Sequence, residues 1–167
     1  MTIQQLNNLD QTQLANELEK CCGAQNWIQK MLTQFPISDE EALFQIAEEK
    51  WAECSEEDWL EAFEHHPKIG DVDALKKKFA STATWASNEQ SGVQTATEEI
   101  IAALAHGNTD YEEKFGFIFI VCATGKSASE MLELLKVRLN HDRAQEIHIA
   151  AAEQAKITQL RLKKLLS

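Results

Sequence analysis

Apolar residues recur along this chain at every third or fourth position, a spacing that predicts helices almost throughout. Leu14, Leu18, Cys21 and Cys22 make one stripe, Leu43, Phe44, Ala47 and Trp51 a second, and Ile100, Ile101, Leu104 and Ala105 a third. Met131, Leu132, Leu135 and Leu139 follow, and Ile149, Ile157, Leu160 and Leu165 close the series. The starts of these helices are marked as well. Ser38 to Glu41, Thr95 to Glu98 and Ser127 to Glu130 each set a hydroxyl three residues before a glutamate, the pair that satisfies orphan amides in a capping box. Asp142 with Gln145 is a variant of that device, and Ser55 opens a helix on the acidic first turn Glu56-Glu57-Asp58. His106 before Gly107 reads as a helix end with its glycine cap.

The stretch Phe115 to Cys122, "FGFIFIVC", breaks the pattern. It is apolar on both faces and bounded by Gly116 and Gly125, so periodicity leaves open a buried helix end or a short extended segment. The whole predicts an all-α, single-domain helical bundle over residues 1–167, with about seven or more helices between residues 10 and 166. Two prolines and six glycines are too few for a sheet protein rich in turns.

Composition narrows the partners. With 27 acidic residues against 16 Lys and Arg, the net charge is −11, and no basic stripe exists to neutralise phosphates. That argues against nucleic acid and anionic membrane surfaces. No apolar run approaches the roughly 20 residues that span a bilayer. The four cysteines, Cys21, Cys22, Cys54 and Cys122, form no CxxC pair, and no signal peptide opens the sequence. Reduced thiols in a cytoplasmic protein are therefore expected.

Three polar features interrupt the helical pattern. In "EAFEHHPKIGD", Glu61 to Asp71, a helix runs into His65 and His66 and is stopped by Pro67, which disfavours α geometry at His66. A histidine fixed there can exchange protons near neutral pH. It can equally be a cation at a helix C-terminus. In "WASNEQSGV", Trp85 to Val93, Glu89 and Gln90 sit at a loop opening into a helix, where such residues are commonly solvated. Arg161 lies at the apolar border of the last helix, able to hold a carboxylate with its planar fork or simply to snorkel at the core edge. No metal set emerges: His141 and His148 near Glu146, or His65 and His66 near Glu64 and Asp71, do not reproduce HExxH spacing.

Taken in order, "HHPKIGD", "WASNEQSGV", "NTDYEEKFGFIFIVCATGKS" and "VRLNHDRAQEIHIAAAEQAKITQLRL" resemble the 2-oxo-4-hydroxy-4-carboxy-5-ureidoimidazoline (OHCU) decarboxylase family of urate degradation. The resemblance covers about Leu9 to Leu166. It implies an all-α fold, a cytoplasmic homodimer without metal or organic cofactor, and conversion of OHCU to (S)-allantoin and CO2 in purine catabolism. Carried over by position, it makes His66 the catalytic histidine and proton donor, with Glu89 and Arg161 as its catalytic companions. Pro67, Ala86, Ser87 and Gln90, with the strip Phe119, Ile120, Val121, Cys122 and Ala123, become the substrate-binding set. The family's serine falls on Ala86, so one hydroxyl contact is absent or passes to Ser87.

These residue types suit that chemistry. Loss of CO2 leaves an electron pair on carbon, and a proton delivered to one face by His66 gives one enantiomer. Glu89 can orient the imidazole or accept from ureido N–H groups, Gln90 offers a donor and an acceptor to a ring edge, and Arg161 can anchor an anionic group. An apolar wall from Phe119 to Ala123 would disfavour solvation of the departing carboxylate. Two other readings stand beside this one. A helical binding or interaction protein would need no such polar set, and a decarboxylase or hydrolase of another ureido acid is left room by Ala86.

Overall fold

Side-chain caps mark the starts of most of the described helices, and indole N–H groups tie some of them together. The computed structural model describes residues 1–66 and 91–167, and of residues 91–97 the backbone alone. The helices are α1 (Ile3–Asn7), α2 (Gln11–Cys21), α3 (Gln25–Leu32), α4 (Glu40–Ala52), α5 (Glu56–Glu64), α6 (Ser91–Phe115), α7 (Ala128–Leu139) and α8 (Arg143–Leu166). No strand occurs among the described residues, and the fold is all-α as the periodicity predicts.

Several caps form as read. Ser55 accepts from Asp58 N while the Asp58 carboxylate takes Ser55 N at 2.9 Å. Ser127 accepts from Glu130 N at 3.2 Å, and Asp142 and Gln145 exchange bonds at 2.8 and 3.2 Å. Two further boxes, Thr2 with Gln5 and Asp10 with Gln13, use a glutamine in the glutamate's place. Three expectations change. Asp39, not Ser38, caps α4, its Oδ1 taking Ala42 N at 2.8 Å, because a carboxylate is the stronger acceptor of the two neighbours. α6 already runs from Ser91, so Thr95 lies a turn inside it rather than at its start. His106 and Gly107 do not end a helix either, since α6 continues to Phe115. A Cβ on Gly107 would lie 2.5 Å from Leu135 Cδ2, so this glycine lets α7 approach α6. His106 is exposed and pairs with Asp110 one turn on, Nε2 to Oδ2 3.3 Å.

The chain divides into two compact units, Met1–His66 with Ile147–Ser167, and Pro67–Glu146. In the first, Leu6, Leu18, Trp27, Met31, Leu43, Phe63 and Leu162 are among the fully enclosed side chains. Trp27 Nε1 donates to Ala47 O at 3.1 Å, and Trp51 Nε1 to Ala151 O at 2.9 Å. Gln159 Nε2 adds a bond to Phe44 O at 2.8 Å, so α8 is pinned along α4 at two heights. In α5, Ala62 and Phe63 are buried while Trp59 and Leu60 are half-buried.

The inward face of α8 differs from the expected stripe. Ile147, Ala150, Ala151, Gln154, Thr158 and Leu162 are buried, whereas Leu160 is 38% exposed and Ile149, Ile157 and Leu165 are half-buried. Counting apolar side chains alone sets the wrong phase, because two of the inward positions are polar.

In the second unit, Gly116 at φ +82° lets the chain leave α6, and Gly125 at φ +76° turns it toward α7. Of "FGFIFIVC" only Phe115 is helical; the rest is an irregular segment with neither helix nor strand. Phe117, Ile120 and Cys122 are buried, and Phe119, Val121 and Ala123 are half-buried. The Phe115, Phe117 and Phe119 rings gather round Tyr111, with centroids 4.5, 5.8 and 5.2 Å away. No helix among the described residues is long and apolar enough to cross a membrane.

Candidate functional site

The two adjacent histidines have different surroundings. α5 ends at Glu64, His65 caps it in αR geometry, and His66 N bonds back to Phe63 O at 3.1 Å. The His65 ring is stacked over Gly23, where an added Cβ would fall 2.3 Å from ring Cγ, and the residue is otherwise exposed. His66 is half-buried, and its Nε2 is hydrogen-bonded to Gln154 Oε1 on α8.

Gln154 is wholly enclosed, and its amide is satisfied at both ends. Its Nε2 donates to Thr158 Oγ1 at 3.1 Å, and the same hydroxyl donates to Gln154 O at 3.0 Å. The Cys22 thiol also hydrogen-bonds Thr158. Burial pushes the Cys21 and Cys22 thiols up to about 11, against the nearby positive charge of Arg161. Arg161, half-buried, donates through Nη1 to Cys21 O at 3.4 Å. It stands seven residues after Gln154, roughly two helical turns along α8. The first unit therefore places Arg161 on the same helix as Gln154, the partner of His66. Gln154 and Thr158 escaped the sequence reading, although their spacing from Ile147, Ala150 and Ala151 places them on the inward face.

Five expected site residues, Pro67, Ala86, Ser87, Glu89 and Gln90, lie outside the described residues. The strip Phe119 to Ala123 belongs to the second unit. There Arg138, 5% exposed, holds it from behind: Nη1 donates to Ile120 O at 2.6 Å, and the guanidinium lies 4.6 Å from the Phe119 ring centroid. Arg138 Nε donates to Glu146 Oε1 at 2.7 Å and Nη2 to Tyr111 Oη at 3.1 Å. Tyr111 Oη donates to the same carboxylate, whose other oxygen meets His141 Nδ1 at 2.8 Å. Burial raises the Tyr111 phenol well above its ordinary range. Glu146, weighed from the sequence beside His141 and His148 as a ligand, is thus the buried counter-charge of Arg138. Arg138 was readable, too: it continues the stripe of Met131 and Leu135 at helical spacing.

An imidazole held by a buried amide, with a guanidinium on the amide's helix, is the polar set that the described residues of this all-helical fold bring together. The sequence profile of the OHCU decarboxylase family matches residues 7–163, and the chain belongs to that family. It is 37% identical over 154 residues to the uric acid degradation bifunctional protein TTL of Arabidopsis thaliana, covering 91% of this chain and 47% of that protein. It is 33% identical over 101 residues to a 2-oxo-4-hydroxy-4-carboxy-5-ureidoimidazoline decarboxylase of Amia calva, covering 60% of this chain and 57% of that one. The chain thus spans about half the length of these two relatives. Among solved structures, an OHCU decarboxylase crystallised in the presence of (S)-allantoin superposes with a TM-score of 0.70 at 36% identity. That match covers 90% of this chain and 97% of the other.

Proposed function

We propose that this protein decarboxylates OHCU to (S)-allantoin and CO2, as a carboxy-lyase of urate degradation. The observation that carries the reading is the family match along residues 7–163, joined by the likeness to the decarboxylase crystallised with (S)-allantoin. His66 delivers the proton that replaces the lost carboxylate, and Arg161 holds an anionic part of the substrate. Glu89 and Gln90 recognise the ureido and ring N–H and C=O groups, beside Pro67 and Ala86 or Ser87. Phe119 to Ala123 supply apolar wall and backbone contacts. The oriented imidazole at the end of α5 supports the role of His66, because proton delivery to one face requires a fixed donor. Protonation by imidazole and anion binding by guanidinium call for no metal or organic cofactor.

The reading treats residues 1–167 as one domain, since the family profile extends across both units. It includes a homodimer, to be checked by sedimentation equilibrium, and a cytoplasmic location, which four buried free thiols suit. OHCU generated from urate by the two preceding enzymatic steps, followed by circular dichroism of the allantoin formed, tests the activity. Rapid appearance of optically active (S)-allantoin, lost in His66→Ala and kept in His65→Ala, is the expected result. Wild-type protein that only tracks the slow racemic background sinks the proposal.

A further inference from the structure

We infer that Gln154 and Thr158 together fix the protonation state of His66, keeping a proton on Nε2 and assigning the transferred proton to Nδ1. The assignment of a transferred proton rests on the decarboxylase reading; the tautomer itself rests on geometry alone. The argument runs through the hydroxyl. Thr158 Oγ1 has one hydrogen, and two acceptors compete for it, Gln154 O at 3.0 Å and the Cys22 sulfur. Toward the Gln154 side chain it therefore presents a lone pair, and the atom it meets at 3.1 Å must be the amide nitrogen. That places Oε1 of Gln154 against His66 Nε2. An amide oxygen cannot donate, so Nε2 must carry a hydrogen in both the neutral ring and the imidazolium. The amide is fully enclosed, and reversing it would take the Thr158 hydrogen away from its other acceptors and turn it toward Oε1.

The reaction then balances on Nδ1. The bond from carbon to the carboxylate breaks, CO2 leaves, and its electron pair stays on carbon. The Nδ1–H bond of the imidazolium breaks toward that carbon, a C–H bond forms, and the ring is left neutral with its hydrogen on Nε2. Gln154 accepts from Nε2–H before and after the step. Gln154 and Thr158 are positioning residues, acting only through His66.

The test is two-bond 1H–15N correlation NMR on protein with 15N-labelled histidine, with His66 assigned by its loss in His66→Ala. At a pH where the ring is neutral, wild type is expected to show Nε2–H only. Gln154→Glu keeps an acceptor oxygen and should retain that pattern with most of kcat. Gln154→Leu should lose the fixed tautomer and about a hundredfold in kcat, the order expected when a reacting group is misplaced. Thr158→Val preserves shape but frees the amide, and should give both tautomers with far-ultraviolet circular dichroism unchanged. A wild-type ring protonated on Nδ1 alone, or a Thr158→Val spectrum identical to wild type, overturns the inference. Full kcat in Gln154→Leu overturns its catalytic half. Wild-type protein inert toward OHCU refutes the functional reading instead, and the NMR patterns then decide the tautomer by themselves.

Discussion

Replacing Arg138 by methionine removes a buried cation of similar length and leaves its partners in place. Glu146, with 0% exposure, would keep Tyr111 and His141 as hydrogen-bond partners but lose its charge partner at 2.7 Å. Breaking a buried pair from one side costs about 3–5 kcal/mol. The Ile120 carbonyl, deprived of its 2.6 Å donor, adds about 1 kcal/mol at the low end of the cost of an orphaned acceptor. A loss of about 4–6 kcal/mol is therefore expected, a large share of the roughly 5–15 kcal/mol typical of a domain. Urea unfolding followed at 222 nm measures it. Glu146→Gln in the same background should recover about 2 kcal/mol, because the amide can still accept from Tyr111 while the uncompensated charge is gone. If Arg138→Met costs under about 1 kcal/mol, or if the double-mutant cycle shows no coupling, the pair is not the organising contact argued for here.

Alkaline conditions should weaken the fold before they affect a protein with exposed thiols. Burial raises Cys21 and Cys22 to about 11 and Cys54 to about 12 from an ordinary value of 9.0, so the unfolded chain releases these protons first as pH rises. Their contribution is full below pH 9 and is lost above it, by about 1.4 kcal/mol per thiol per pH unit until the folded value is reached; urea midpoints at pH 8 and pH 10 should differ accordingly, and equal midpoints would refute it. Thiol titration with an aromatic disulfide at pH 8 should be slow at these three sites in native protein and fast in urea, and prompt native labelling would contradict their enclosure. Gly107→Ala should destabilise by about 1 kcal/mol despite better helix propensity, because its Cβ meets the fully buried Leu135 side chain; a higher melting temperature would show that α7 can yield. Trp51→Phe, which orphans Ala151 O between α4 and α8, should cost about 2 kcal/mol by the same unfolding measurement.

The helices were legible because capping chemistry is local. Ser55 with Asp58 and Asp142 with Gln145 are three residues apart, and nothing distant decides whether they pair. Competition between neighbours is less legible: Asp39 and Ser38 are both good caps, and the stronger carboxylate acceptor together with the extended backbone at Asp39 decides between them. Gly107 misled because a glycine at a helix end and a glycine under a crossing helix look alike until the second helix is placed. The inward face of α8 was misjudged for a related reason. Gln154 and Thr158 count as surface residues when taken singly, and only His66, 88 residues away in sequence from Gln154, makes their burial affordable. For the site, the resemblance singles out His66 and Arg161 by position but has no means of finding Gln154 and Thr158, the side chains that hold His66.

The polar pair on the inner face of α8 also sets a trap for anyone stabilising this protein by conventional redesign. An algorithm that fills enclosed helix positions with aliphatic side chains would turn Gln154 and Thr158 into leucine and valine. It would remove two groups whose satisfaction depends on one another, in exchange for a higher melting temperature. The gain would come at the imidazole, now loose at the end of α5. Robustness and a firmly held imidazole compete here at two named positions, and a screen that selects on heat resistance alone would select against the arrangement at His66.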